Sequence, residues 1–166
     1  MFNLIVIVVT LGLVAALTAA TLNYVPLDAQ MRQQMYKEAD RGIKALECAV
    51  TRYMDAQRSV AGGPIDMVPA SGNLVSAVTP SYGFLPADVR KEMTWDINAG
   101  SVSSMPAVGI CLRPIIKSSA MQREVLTKLQ SQLPVGSTFV STGCNATADT
   151  VNGGYLTYWI PLAHVN

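Results

Sequence analysis

The fold is decided by residues 1–27, MFNLIVIVVTLGLVAALTAATLNYVPL, and by the change of character that follows them. No side chain from Met1 to Leu27 is charged, whereas residues 28–58 carry charged groups at helical spacing. An apolar run that continues into an amphipathic pattern predicts one long helix with a hydrophobic first half and an amphipathic second half. The remaining residues are expected to form the domain that this helix carries.

Residues 2–22 are long enough, as an α-helix rising about 1.5 Å per residue, to cross a hydrocarbon layer of about 30 Å. Three interpretations compete: a transmembrane anchor, a cleaved secretory signal, and a removable anchor that becomes the core of a polymer. A secretory signal normally begins with basic residues, but none precedes this run. The nearest basic residues all follow it, against the positive-inside rule: Arg32, Lys37, Arg41 and Lys44. Removal of a basic leader from in front of Met1 would explain both observations, so we expect the chain to be a mature form.

Small residues recur at helical spacing inside the apolar run: Gly12, Ala15, Ala16, Ala19 and Ala20. Small side chains let neighbouring helices approach closely where hydrophobic burial gives no preference, although an ordinary alanine-rich anchor has the same composition. Pro26 follows the run, and it removes one backbone donor and clashes with the preceding turn. The sequence therefore predicts a kink or a local melting of the helix at Pro26.

The second half of the helix has one apolar face. On a 3.6-residue wheel this face collects Met31, Met35, Ala39, Gly42, Ile43, Leu46, Ala49, Val50 and Tyr53. We expect Met31, Met35, Ile43, Leu46, Val50 and Tyr53 to dock the helix on the C-terminal domain. The opposite face is polar and includes Cys48, which is therefore not expected in the core and is either free or paired with a partner.

The C-terminal part predicts an α+β fold. After the helix is ended by Gly62-Gly63-Pro64, the patterns predict a short helix at Pro86–Met93, a turn at Gly100–Ser104, and strands at Trp95–Ile97, Val108–Leu112, Thr138–Ser141 and Tyr155–Ile160. A further helix, capped by Ser119 and stopped by Pro134, lies between two of these strands. We expect the long helix to pack on a small antiparallel β-sheet with this helix inserted, and the chain to divide into residues 1–27, 28–60 and 61–166.

Composition and motifs exclude more functions than they indicate. Charged residues make up 14% of the chain and the net charge is +1 without a basic cluster, so nucleic-acid binding is unsupported. The chain lacks the sequence motifs of the common hydrolases, nucleotide-binding proteins and zinc proteases, and His164, its one histidine, lies near the end. The sequence therefore assigns no catalytic, metal or cofactor residue and no small-molecule substrate.

The three cysteines, Cys48, Cys111 and Cys144, lack the paired spacing of a zinc site. A disulfide in an oxidising compartment is the better interpretation, and three cysteines allow three pairings.

The apolar stretch MFNLIVIVVTLGLVAAL, the proline that follows, the amphipathic continuation and the α+β domain with a late cysteine pair resemble a type IV pilin. Met1 in first place is similar to the type IVb branch. The resemblance implies a disulfide between Cys111 and Cys144, whose loop closure would contribute about 3 to 4 kcal/mol. The family usually has Glu at the fifth mature position, where this chain has Ile5.

The resemblance also implies a function. Residues 1–57 would pack into the core of a helical homo-oligomeric filament, with the filament-core contacts made by Met1, Phe2, Ile5, Gly12, Ala16, Ala19 and Pro26. The subunit would lie in the bacterial inner membrane before assembly and in an extracellular pilus afterwards. A main subunit is favoured over a minor one, and adhesion, motility, DNA uptake and mating contact all stay open as uses. The alternative is a single-pass, membrane-anchored envelope protein that binds a partner and does not polymerise.

Overall fold

The computed structural model describes residues 2–24, 27–61 and 71–162. The apolar run forms helix α1 (Phe2–Tyr24) and the amphipathic run forms helix α2 (Leu27–Ala61). Val25 and Pro26 lie outside the described residues, so the kink at Pro26 stays a prediction. The chain divides into two compact units, Met1–Gln34 and Met35–Asn166, so that most of α2 belongs to the same unit as the domain.

The C-terminal unit is built on a five-stranded antiparallel sheet with the strand order β1-β2-β3-β5-β4. Its strands are β1 (Gly72–Asn73), β2 (Met93–Val102), β3 (Met105–Pro114), β4 (Thr138–Ser141) and β5 (Tyr155–Pro161). Two further helices are α3 (Val75–Val78) and α4 (Ala120–Gln130). Because α4 connects β3 to β4 and β5 then inserts between these two strands, the predicted α+β plan with an inserted helix is confirmed.

One face of the sheet carries the main core. The buried side chains of β2, β3 and β5 that alternate toward this face meet α2 and α4 in a single hydrophobic cluster. Trp95 of β2 lies against Gly42 of α2, where an added Cβ would stand 2.2 Å from the Trp95 ring. The missing side chain at Gly42 therefore sets how closely the helix approaches the sheet.

The second face is covered by the segment between β4 and β5. The ring of Trp159 lies over Gly100 and Gly109 of the two neighbouring strands, and its indole N–H donates to the carbonyl of Ala146 at 2.8 Å. Cys111, fully buried in β3, forms a disulfide with Cys144 of the same segment. The disulfide and Trp159 thus hold this segment on the sheet.

Local signals located some elements well and missed others. Ser119 caps α4 in a reciprocal capping box with Gln122, and β4 has the predicted bounds. The helix predicted at Pro86–Met93 is wrong: Arg90 and Lys91 have positive φ, and Val89 pairs with Met93 in a tight turn that leads into β2. The turn predicted at Gly100–Ser104 is narrower, with its centre at Ser103 and Ser104, because Gly100 lies in β2 under the ring of Trp159.

Two further corrections concern the length of β2 and a segment that the sequence predicted to be irregular. Strand β2 extends from Met93 to Val102, beyond the predicted Trp95–Ile97, because β3 pairs with it at every one of these positions. Strand β1 and helix α3 fall in a segment predicted to be irregular, where the side chain of Asn73 accepts a hydrogen bond from the N–H of Val75 and starts the helical turn.

Replacing Gly42 with Ala tests the close approach of α2 to the sheet. The added methyl group meets the buried ring of Trp95, so we expect a loss of about 1 to 3 kcal/mol despite the better helix propensity of Ala. Thermal unfolding followed by tryptophan fluorescence in detergent measures this loss. Gly143→Ala is the matched control, since a Cβ there meets no atom within 4 Å. Equal unfolding temperatures for the two variants would contradict the packing argument.

Replacing Cys144 with Ser tests the disulfide. Opening a loop with a sequence separation of 33 should reduce the free energy of unfolding by about 3 to 4 kcal/mol under non-reducing conditions. Cys48→Ser is the control, because Cys48 is an exposed free thiol and its replacement should change stability by less than about 0.5 kcal/mol. Denaturant unfolding of both variants distinguishes the outcomes, and a stable Cys144→Ser protein would show that the bond does not hold the segment.

Candidate assembly surface

The surface of α1 is apolar on every side over the residues whose side chains are described, 6–17. All twelve are exposed, and the eight large ones are Val6, Ile7, Val8, Val9, Leu11, Leu13, Val14 and Leu17, each between 50% and 65% accessible. Thr10 carries the polar side chain of this stretch, and its hydroxyl lies 2.9 Å from the carbonyl of Val6 and 3.0 Å from that of Ile7. A helix that is hydrophobic all round, with its hydroxyl satisfied internally, can be covered by apolar neighbours without loss of a hydrogen bond.

The residues predicted to pack in a filament core lie in or next to this helix. Gly12 has no atom within 4 Å of an added Cβ, and Ala16 is exposed. Phe2, Ile5 and Ala19 belong to α1, with side chains outside the described part, and Met1 and Pro26 lie outside the described residues altogether. Within the described part of the chain, no helix combines the length and the mean hydropathy that a membrane crossing requires.

The apolar face of α2 is occupied by the domain. Of the residues predicted for this role, Met35, Ile43, Leu46, Val50 and Tyr53 are all buried in the cluster shared with the sheet. Met31 is half-buried and falls in the N-terminal unit. The apolar face from Met35 onward is therefore not available to a neighbouring molecule.

Polar contacts fix the two sides of α2. The hydroxyl of Tyr158 in β5 donates to Glu47 at 2.9 Å, across the edge of the helix–sheet interface. Near the start of the domain, Tyr36 donates its hydroxyl to the side chain of Gln132, and the ammonium group of Lys128 lies 4.7 Å from the centre of its ring. These contacts attach α2 to β5 and to the C-terminal end of α4. Sequence periodicity placed Tyr36 and Glu47 on the helix but gave no signal for their distant partners.

The polar face of α2 remains open as a stripe of exposed residues: Lys37, Arg41, Lys44, Cys48, Thr51, Arg52 and Asp55. Its one ion pair in the described structure joins Lys44 to Asp40 at 2.8 Å on successive turns, a type of exposed contact that solvent screens strongly. This outward stripe has four cationic residues, a thiol at its centre and no contact that would prevent a neighbour from covering it.

The described residues hold no cluster of three or more His, Cys, Asp or Glu side chains that could bind a metal ion. Cys111 and Cys144 are joined in the disulfide, and Cys48 is the described free thiol. His164 lies outside the described residues. Two separate surfaces are candidates for association: the exposed apolar side chains of α1 in the N-terminal unit, and the outward stripe of α2 in the C-terminal unit.

The Tyr158–Glu47 contact predicts a pH dependence. Burial, the hydrogen bond to Glu47 and the charge of that carboxylate raise the pKa of Tyr158 to about 12 from an ordinary value of 10.0. A raised pKa in the folded state means that this stabilisation is complete below the unfolded pKa, near 10, and is lost as the pH rises toward 12. The unfolding temperature of the protein should therefore fall across this range more steeply than that of Tyr158→Phe.

Tyr155→Phe, on the same strand, is the matched control and should keep the slope of the unsubstituted protein. Burial also raises the pKa of Tyr53, but Tyr53 adds the same pH dependence to the unsubstituted protein, Tyr158→Phe and Tyr155→Phe. If Tyr158→Phe and Tyr155→Phe show the same slope, the pKa of Tyr158 is not raised in the folded state.

Comparison of the chain with protein-family models, with curated proteins and with solved structures gave no significant match. The functional assignment rests accordingly on exposure, charge and packing.

Proposed function

We propose that this chain is the structural subunit of an extracellular type IV pilus-like filament that polymerises through its N-terminal apolar helix. The observation that carries the proposal is the exposed, apolar surface of residues 6–17. Covering eight Val, Ile and Leu side chains would contribute on the order of 10 kcal/mol, which is comparable to the stability of a whole domain. A surface of this kind requires either lipid or other apolar helices around it.

The distribution of apolar residues around α1 favours many neighbours over one. A helix that pairs with a single partner has an apolar stripe, whereas α1 is apolar around its whole circumference. Gly12 and Ala16 would let the backbones of neighbouring helices approach closely. Such a helix is suited to the centre of a bundle of identical helices.

In this proposal α2 has a different role. Its apolar face is used to hold the domain, so that only the outward stripe from Lys37 to Asp55 is left for contacts between subunits. The domain would then face the outside of the filament. At Ile5 the subunit gains apolar contact where the resembling family has Glu, and the N-terminal amine needs another acceptor.

Before assembly, the subunit would lie in the bacterial inner membrane. This stage of the proposal is supported by the charge-free sequence of residues 1–27. We propose a main subunit over a minor one, and a main subunit should make up most of the protein in filaments sheared from cells.

A single-pass, membrane-anchored binding protein is the second candidate. It is favoured by a polar pocket beside α4 that includes Arg123 and Asp149. In this case the subunit would stay monomeric in detergent and no filament would form when the detergent is removed.

Leu13→Glu tests the role of α1. Leu13 is 57% exposed in the middle of the apolar surface, and a carboxylate there would have to be buried unpaired in a helical core. We expect negative-stain microscopy to show filaments for the unsubstituted protein and none for Leu13→Glu. Leu13→Met keeps the volume and the apolar character, and should form filaments. Both variants should unfold at the temperature of the parent, because Leu13 is outside the domain unit.

Two results would contradict the proposal: filaments formed by Leu13→Glu, or a parent protein that remains monomeric after detergent removal. Cys48 supplies an independent measurement, since it is exposed on the outward stripe. Its thiol should react with a bulky maleimide in the dissociated subunit and be shielded in the filament.

A further inference from the structure

A polar pocket of about 320 Å³ lies between α4 and the segment that joins β4 to β5. Its polar lining consists of Arg123, Thr127, Gln130, Asp149, Thr150 and Asn152. The volume is in the range of small-molecule sites and is sufficient for one six-membered ring with its substituents. The pocket is contained within the C-terminal unit and takes no residue from α1 or α2.

Hydrogen bonds inside the protein hold the lining in place. One carboxylate oxygen of Asp149 accepts from the N–H of Val140 and from the amide of Gln130, both at 2.7 Å. The same Gln130 amide nitrogen donates to the carbonyl of Thr138 at 3.2 Å. With both amide hydrogens engaged, Gln130 keeps its carbonyl oxygen as an acceptor, and Asp149 keeps its second carboxylate oxygen.

The backbone of the wall is also fixed. The N–H of Thr150 donates to the carbonyl of Val140 at 2.9 Å, and that of Gly153 donates to the carbonyl of Thr150 at 3.1 Å. The same segment is attached to the sheet by the Cys111–Cys144 disulfide. A ligand would therefore enter a preformed pocket and would not have to order a loop.

The lining combines one cation with one anion, so a ligand with a net charge would be attracted by one and repelled by the other. Arg123 supplies planar N–H donors, Asp149 and Gln130 supply acceptors, and the threonine hydroxyls and the Asn152 amide supply both. Hydroxyl groups on adjacent carbons match such a surface, because each one donates and accepts a hydrogen bond. The lining contains no aromatic ring and little apolar surface, which limits the affinity to a Kd on the order of 1 mM.

We propose that this pocket binds a single neutral sugar residue. Arg123 and the acceptor pair of Asp149 and Gln130 would bind adjacent hydroxyls, and Asn152 would contact the ring substituents at the rim. The proposal does not depend on the filament, since it concerns the domain alone.

Saturation-transfer NMR on the full chain in detergent tests the proposal. The probes are the methyl glycosides of glucose, galactose, mannose and N-acetylglucosamine, with glycine as a zwitterionic probe of similar polarity. We expect at least one glycoside to bind and to give a stronger signal than glycine. Arg123→Gln and Asn152→Gly should each weaken the binding by about tenfold. Asn152 has a φ of 62°, so glycine there removes the amide and keeps the backbone.

Lys117→Gln is the matched control, because it removes one exposed cation outside the pocket and should leave glycoside binding unchanged. Thermal unfolding of each variant verifies that the domain is intact, and Asp149 is left unchanged because it also closes the edge of β4. The proposal is overturned if no glycoside binds, if both pocket variants bind like the parent, or if glycine binds and the glycosides do not.

Discussion

The contact between Trp95 and Gly42 is the constraint on which the rest of the domain depends. It lets α2 lie directly on the sheet, so that the buried side chains of the helix reach the cluster formed with α4 and four strands. The hydroxyl of Tyr158 in β5 donates to Glu47 of the same helix at 2.9 Å. The buried residues of α2 face the sheet, and the outward stripe around Cys48 is the face left in solvent.

The opposite side of the sheet is closed by a similar arrangement, with consequences for assembly. Trp159 lies over two glycines, and the disulfide holds the segment between β4 and β5 across this face. The end of that segment also covers the outer edge of β4, where Thr150 and the side chains of Gln130 and Asp149 satisfy the backbone of Thr138 and Val140. An edge strand covered in this way cannot add a strand from another molecule.

The sequence predicted what depends on neighbouring residues along the chain. The helical period located the buried face of α2, and the Ser119 cap and the aromatic strand near Trp159 were recognisable because their signals are local. The helix predicted at Pro86–Met93 was wrong because Met93 pairs with Pro114 of β3, a residue distant in the sequence that local helix signals do not take into account. The pocket could not have been found, because Arg123 lies in the connection between β3 and β4 and Asp149 in the connection between β4 and β5, and no periodic pattern encodes their approach.

The two compact units differ in how much of their apolar surface is buried by contacts within the unit. The domain buries the apolar face of α2, closes the outer edge of β4 and covers both faces of its sheet, and the large apolar side chains that it exposes, such as Phe84 and Ile116, lie apart along the chain. Surface ion pairs such as Lys44–Asp40 contribute too little to hold an assembly together. Residues 6–17 have the opposite character, because every large side chain there is apolar and uncovered, and the one hydroxyl is already bonded within the helix. In the proposed filament, α1 would therefore supply most of the apolar contacts between subunits, and the outward stripe of α2 would supply polar ones.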